Sequence, residues 1–465
     1  MQTKRPAGMR AFTIVWVGQF VSILGTSMTQ FALTIWSWKF VTEIHPVDDP
    51  ATAFAFVAFF NFAPAVLFSP IAGALVDRWN RKLTMMLVDL AAGIGTICVF
   101  LLYSSGQLQI WHLYVTGAFT GVFQAFQFPA YSAAISTMIP KEQYTRADAM
   151  LGLIESGSGI FAPIVAGFLL TIIGISGVMT IDIVSFLAAL GAVAFVAIPQ
   201  PPPSPAGSEG KGSIWKESIY GFRYIFARPS LLGLQMTFFF GNLLASMTFA
   251  IFAPMILSRT SNSETTLGFV QAAFGVGGVA AGIILATWGG LKRRVYGVIF
   301  GWLLSALIGT LVLGLGRSIP IWLIGGFLSA FFGPVINSSN QSIWQSKIPP
   351  DVQGRVFGVR RLIAQIVGPL GFVIAGPLAD KVFEPGMREG GSLVSTFGWL
   401  VGTGEGAGMA LLMVLSSLGI VVVSLIAFTI PAIRHAEDIL PDHDVALPAE
   451  QPIPETLSDI PITAS

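Results

Sequence analysis

Apolar residues fall along the chain in twelve long runs, at about 12–40, 52–75, 83–105, 110–138, 148–173, 177–198, 230–258, 266–288, 295–316, 319–346, 356–379 and 404–431. Charged residues gather between the runs. Each run reaches the roughly 20 residues that an α-helix needs to cross a bilayer. The pattern predicts an all-α integral membrane protein with twelve transmembrane helices, six before a polar gap and six after it. Within the gap, Pro199, Pro201, Pro202, Pro203 and Pro205 make a stiff stretch and Gly207 to Ser213 a flexible one. Trp215, Ile219, Phe222 and Phe226 then recur at helical spacing, with Lys216, Glu217 and Arg223 elsewhere on the helix, as in a helix lying on the membrane surface. The expected division is a six-helix bundle over 1–198, a cytoplasmic linker with an amphipathic helix over 199–229, a second six-helix bundle over 230–431, and a tail over 432–465. With seven Asp/Glu, five Pro and one Arg, the tail is expected to be disordered and cytoplasmic.

Composition narrows the function. Of 465 residues, 54% are hydrophobic and 11% charged, against about a quarter charged in soluble domains, so no separate soluble catalytic domain fits. A net charge of +1 gives no reason to expect a nucleic-acid partner. Cys98 is the lone cysteine, and His45, His112, His435 and His443 are scattered, which excludes disulfides and any His-based metal or triad spacing. Neither an enzyme, a metal nor a cofactor is expected. Gly207-Ser208-Glu209-Gly210-Lys211-Gly212 lacks the Lys-Ser/Thr ending of a phosphate loop, which argues against an ATP-driven pump. The run from Phe12 is too long for a signal-peptide core and reads as a permanent helix. With the N-terminus inside, 20 of the 25 Lys and Arg fall in cytoplasmic segments and five outside, so both termini and the linker are predicted to be cytoplasmic.

Ile139-Pro140-x-Glu142-x-x-x-Arg146 recurs as Ile348-Pro349-x-Asp351-x-x-x-Arg355, 209 residues later, and the same offset carries Gly73 onto Gly282 and Gly167 onto Gly376. One offset across three landmarks predicts two homologous halves related by an axis along the membrane normal. Between the second and third runs lies Gly73-Ala74-Leu75-Val76-Asp77-Arg78-Trp79-Asn80-Arg81-Lys82. This segment resembles the loop signature of the major facilitator superfamily. Trp16-x-Gly18-Gln19, Phe128-Pro129-Ala130 and Gly354-Arg355-Val356-Phe357 narrow the resemblance to the drug:proton antiporter branch, with its macrolide efflux proteins and siderophore exporters, over nearly all of 10–430.

The resemblance implies the major facilitator fold and a secondary transporter in the bacterial inner membrane. By it, the chain is a monomeric, proton-coupled exporter of a small amphipathic molecule working by alternating access. An importer or a lysophospholipid flippase of the same fold is the alternative, and a non-transporting receptor or assembly partner a more distant one. Gly73, Asp77, Arg78, Arg81 and Lys82, with Arg146 and Arg355 of the repeat, form a gating latch in this reading; fixing topology is the competing role of the basic residues. Gly159, Pro163 and Gly167 resemble a degenerate antiporter motif, and close helix packing explains them equally well.

An ionised group in mid-membrane costs several kcal/mol, so intramembrane acids are functional suspects. Glu155 is the first candidate proton carrier. Asp89 is a second, with pairing to Arg81, Lys82 or another cytoplasmic basic residue as its structural role. Asp182 is a third, expected near the outer end of the sixth helix within reach of water. Thr120 stands where many proton antiporters of the superfamily carry an arginine. The resemblance further implies that the first, fourth, seventh and tenth helices line the cavity. Their candidates are Trp16, Gln19 and Gln30; Gln124, Gln127 and Tyr131; Gln235, Phe239 and Asn242; and Asn337, Asn340 and Gln341. Rings among uncharged amides suit an amphipathic substrate. The outer loop at 383–403 is expected to be a passive insertion or a partial lid.

Overall fold

A computed structural model describes residues 8–76, 79–139, 144–198, 221–348 and 350–440. The first helices are α1 (Gly8–Lys39), α2 (Pro50–Val76), α3 (Arg81–Ser104) and α4 (Ile110–Met138). A single 52-residue helical stretch, Tyr144–Phe195, follows; it is far longer than one crossing needs, and it breaks at Gly174, whose φ of 65° and ψ of −175° lie outside helical space. The parts before and after Gly174 are α5 and α6. The second half comprises α7 (Pro229–Arg259), α8 (Glu264–Trp288), α9 (Arg294–Leu315), α10 (Ile319–Lys347), α11 (Pro350–Leu378) and α12 (Ala407–Thr429). The described residues thus form twelve helices of membrane length and no strand.

Local chemistry sets the boundaries. The Asn80 side chain accepts from the backbone N–H of Leu83 at the start of α3, and Ser263 accepts from Thr266 at the start of α8, each satisfying a donor the helix cannot. Pro229 opens α7 where its missing N–H costs nothing. Gly289, at φ 79°, ends α8 in the left-handed region.

Packing follows the repeat. In the first half α1 lies against α5 and α6, α2 against α4, and α3 against α6; in the second α7 lies against α11 and α12, α8 against α10, and α9 against α12. Two pseudosymmetric six-helix bundles result. They meet along two crossings, α5 with α8 and α2 with α11, which the repeat exchanges. Gly167 on α5 and Gly376 on α11, one offset apart, both serve these crossings. A Cβ on Gly167 would lie 3.3 Å from the Glu264 carbonyl oxygen at the start of α8, and one on Gly376 would lie 2.6 Å from Cα of Thr52 at the start of α2.

Two expectations change. The 383–403 loop is a folded part of the second bundle: Met387 and Val401 are buried, the Glu384 carboxylate accepts from the Met409 N–H near the start of α12, and Arg259 donates to the carbonyls of Gly316 and Val401. The tail is ordered as far as residue 440, because Ile433 and Ala436 are buried and the Glu437 carboxylate accepts from the Val295 N–H opening α9. Its remainder, and 199–220 of the linker, lie outside the described residues.

Candidate transport cavity

A cavity of about 480 Å³ lies among α1, α2, α3, α4 and α6 and is completed from the second half by α7, α8 and α11. The polar part of its wall is amides and hydroxyls, and its apolar part is largely phenylalanine, including Phe62, Phe123 and Phe372. Two carboxylates, Asp89 and Asp182, line it, and among the described residues no Lys, Arg or His does.

Asp89 and Gln19 were separate candidates on α3 and α1, and the fold joins them: the Gln19 amide nitrogen donates to the Asp89 carboxylate at 2.7 Å. Lys82 does not supply the expected structural pairing, since its ammonium donates to the carbonyls of Ala194 and Val196, closing the loop end of α6. Asp182 is also placed differently from expectation. It is 1% exposed, on the face of α6 against α1 and α3, where it accepts from the hydroxyls of Thr26 at 2.9 Å and Thr96 at 3.1 Å. Burial follows from close approach of α1 and α6 at Gly25, where a Cβ would lie 3.1 Å from Cα of Asp182.

Gln19, Gln30, Gln124 and Gln127 line the cavity as expected. Trp16 does not; its indole N–H donates to the Met150 carbonyl of α5. Nor do the candidates of the second half. Gln235 donates to the Arg360 carbonyl, Asn340 accepts from the Trp344 indole, and Gln341 accepts from the Arg360 guanidinium at 2.8 Å. Phe239 packs edge-on against Phe240, while Asn242 and Asn337 stand outside the wall. Arg360 sits within α11 over the Trp344 ring and organises these amides. Thr120 lines the cavity and spends its hydroxyl on the Thr116 carbonyl. Pro163 and Gly167 face α8, and nothing lies within 4 Å of a Cβ built on Gly159. Asp77 and Arg78 fall outside the described residues; Gly73, Arg81, Tyr131, Arg146, Glu155 and Arg355 lie on described helices, with side chains that are not described.

One end of the bundle, opposite the chain's N-terminus, is tied shut between the halves. Lys39 at the end of α1 pairs with Glu264 at 2.8 Å, and Lys381 pairs with Asp49 at 3.3 Å. Asn262 donates to Glu43 from a tight turn in which Ser261 and Asn262 both hold positive φ. The Asp380 carboxylate accepts from the N–H groups of Ala51 at 3.0 Å and Thr52 at 2.6 Å and from the Thr52 hydroxyl at 2.7 Å, capping α2 from the end of α11. Sequence reasoning missed this cap, because its donors are backbone groups 328 residues away.

Two helical halves around a shared polar cavity match the architecture of secondary transporters. The sequence profile of the Major Facilitator Superfamily matches residues 15–372. The chain belongs to the major facilitator superfamily. Among similar members, macrolide efflux protein A of Streptococcus pyogenes is 24% identical over 385 residues, covering 80% of this chain and 90% of that protein. The enterobactin exporter EntS of Escherichia coli O6:K15:H31 is 25% identical over 357 residues, 75% of this chain and 80% of that protein. Two solved structures share the fold. A bacterial homologue of the human lysosomal transporter Spinster, inward-facing and unoccupied, gives a TM-score of 0.64 at 15% identity, covering 91% of this chain and 97% of that one. A bacterial homologue of the iron transporter ferroportin, inward-facing, gives 0.60 at 14% identity, covering 90% and 99%. This superfamily transporter therefore has efflux proteins among its relatives, and its chain passes the membrane many times.

Proposed function

We propose that this transporter exports a small amphipathic molecule across a bacterial inner membrane, as a monomer, by alternating access coupled to inward proton movement. The observation that carries the reading is the cavity. Rings give apolar contact, amides and hydroxyls give orienting hydrogen bonds, and Asp89 presents a carboxylate held by one amide. A phosphorylated or strongly anionic substrate would need cations that the described wall lacks. Efflux relatives favour export, with macrolides and enterobactin as the chemistry to try first.

The charge split supports placing both termini in the cytoplasm, with 20 of the 25 Lys and Arg in cytoplasmic segments. The tied end is then external and the conformation inward-facing. Asp89, facing the cavity, is the carboxylate best placed to take a proton in exchange for substrate. Glu155 stays a candidate carrier from the sequence, and so does Asp182 in its deeper hydroxyl setting. The latch residues, Asp77 foremost, are proposed to close the cytoplasmic end in the opposite state.

The reading is tested in everted vesicles. Energised vesicles accumulate a labelled macrolide or enterobactin, and Asp89→Asn lowers gradient-driven accumulation by about tenfold or more, equivalent to 1.4 kcal/mol of lost driving interaction. Accumulation only by right-side-out vesicles would establish import instead. Full gradient-driven export by Asp89→Asn would remove Asp89 as carrier.

A further inference from the structure

Asp182 is surrounded in a way that Asp89 is not. Four oxygen-bearing side chains from three helices converge at one point of the cavity wall: Thr26 and Thr29 from successive turns of α1, Thr96 from α3 and Asp182 from α6. Thr26 donates to one carboxylate oxygen of Asp182 and Thr96 to the other. Thr29, 4% exposed, also lies beside this carboxylate, without the geometry of a fully formed hydrogen bond to it or to any other group. A buried hydroxyl without a partner forfeits about 1–3 kcal/mol, which is a reason to look for the group that completes it. No basic side chain appears among the bonds made to Asp182.

We propose that Thr26, Thr29, Thr96 and Asp182 form a sodium-ion site. Hard cations take oxygen ligands, from carboxylates, carbonyls, hydroxyls and water, and the charge those ligands carry tunes affinity. One carboxylate balances one positive charge, whereas no cluster of three His, Cys, Asp or Glu exists among the described residues to hold a multivalent metal. Hydroxyl oxygens both donate and accept. The threonines that now donate to Asp182 can turn lone pairs to an ion, and the Thr29 oxygen gains the partner it lacks. All four residues line the cavity, so an ion enters from the space the substrate uses. Asp89, with a single amide donor, has no such cage. Use of the ion to drive transport rests on the exporter reading; its binding does not.

The test needs no substrate. The thermal unfolding midpoint of the purified full-length protein is followed by tryptophan fluorescence as sodium chloride replaces choline chloride at constant ionic strength and pH. A ligand that binds only the folded state raises the midpoint in a concentration-dependent way, so the expected result is a saturable rise with sodium that potassium does not reproduce. Thr29→Val removes the hydroxyl that is least engaged in the resting cluster, and it is expected to raise the apparent sodium dissociation constant by about tenfold to a hundredfold, the scale on which lost supporting groups weaken metal sites. Asp182→Asn is expected to abolish the response. Should Asp182→Asn fail to fold, Thr29→Val decides the matter alone. A midpoint blind to sodium, a sodium response unchanged in Thr29→Val, or stabilisation that follows pH alone would each overturn the proposal. Sodium binding without export would refute the exporter reading and leave the site standing.

Discussion

Asp89 and Asp182 face the same cavity from neighbouring helices, and their partners separate them. An amide from α1 holds Asp89, whereas hydroxyls from α1 and α3 enclose Asp182. Charges inside membrane helices are rare enough that both stood out in the sequence. Their partners did not, because Gln19 and Asp89 are 70 residues apart and Thr26 and Asp182 are 156 apart. The glycine that permits the second cluster gives a direct check at this scale. A methyl group on Gly25 would lie 2.5 Å from the Ser185 hydroxyl and 3.1 Å from the Asp182 backbone, with no flexible chain end to move aside on the backbone side. Gly25→Ala is expected to cost about 1–3 kcal/mol, as overpacking does, and to lower the thermal midpoint measured by tryptophan fluorescence. An unchanged midpoint would show that α1 and α6 pack less closely.

At the scale of elements, the start of α2 and the end of α11 form the most specific tie between the halves. The first turn of a helix leaves N–H groups without intrahelical partners and carries partial positive charge. Asp380 satisfies two of them from the other bundle, so the cap exists only while that end is shut. Asp380→Asn keeps the shape and removes the charge. A lost cap costs about 0.5–2 kcal/mol, and a loss of about 1–2 kcal/mol lowers the ratio of shut to open by a factor of about 5–30. Spin labels on exposed Val47 and Glu389, in a Cys98→Ser background, report it as a longer distance across this end; an unchanged distribution would count against the cap. The cap was invisible in the sequence, since an acid near a helix end has no marked partner. The Tyr144–Phe195 stretch is the contrary case. A 52-residue helix exceeds one crossing, and the two apolar runs meeting at residues 173–177 showed the break that Gly174 makes. The loop at 383–403 lay between, its composition plain and its packing hidden: Glu384 and Arg259 hold it through backbone groups of distant segments.

For the whole molecule, the 209-residue repeat becomes two equivalent crossings closed together at one end. Alternating access requires both to open. A bond across one crossing should therefore stop the cycle. A Cβ on Gly167 would lie 3.6 Å from Cα of Thr265, close enough for a disulfide. The pair Gly167→Cys and Thr265→Cys, with Cys98→Ser, is expected to crosslink under oxidation and to lose transport, which reduction restores. Transport that survives complete crosslinking would show that this crossing does not move.

The sequence by itself determined the membrane environment, the twelve helices, the two halves and the family. The first three follow from hydropathy, charge placement and repetition, and the family from the resemblance of short motifs such as Gly73–Lys82; all are properties of segments and need no knowledge of neighbours. It also marked Gln19, Asp89 and Asp182, because polar groups in apolar helices are costly wherever they end up. Only the tertiary structure decided that Gln19 serves Asp89, that three threonines gather round Asp182, and that Gln235, Asn340 and Gln341 turn to Arg360 and Trp344 rather than the cavity. The physical reason is that a helix offers every direction in 3.6 residues. Which side chains meet is set by the rotation and crossing of helices, and here those are fixed by glycines at close approaches and by backbone groups at helix ends, whose partners no local pattern records.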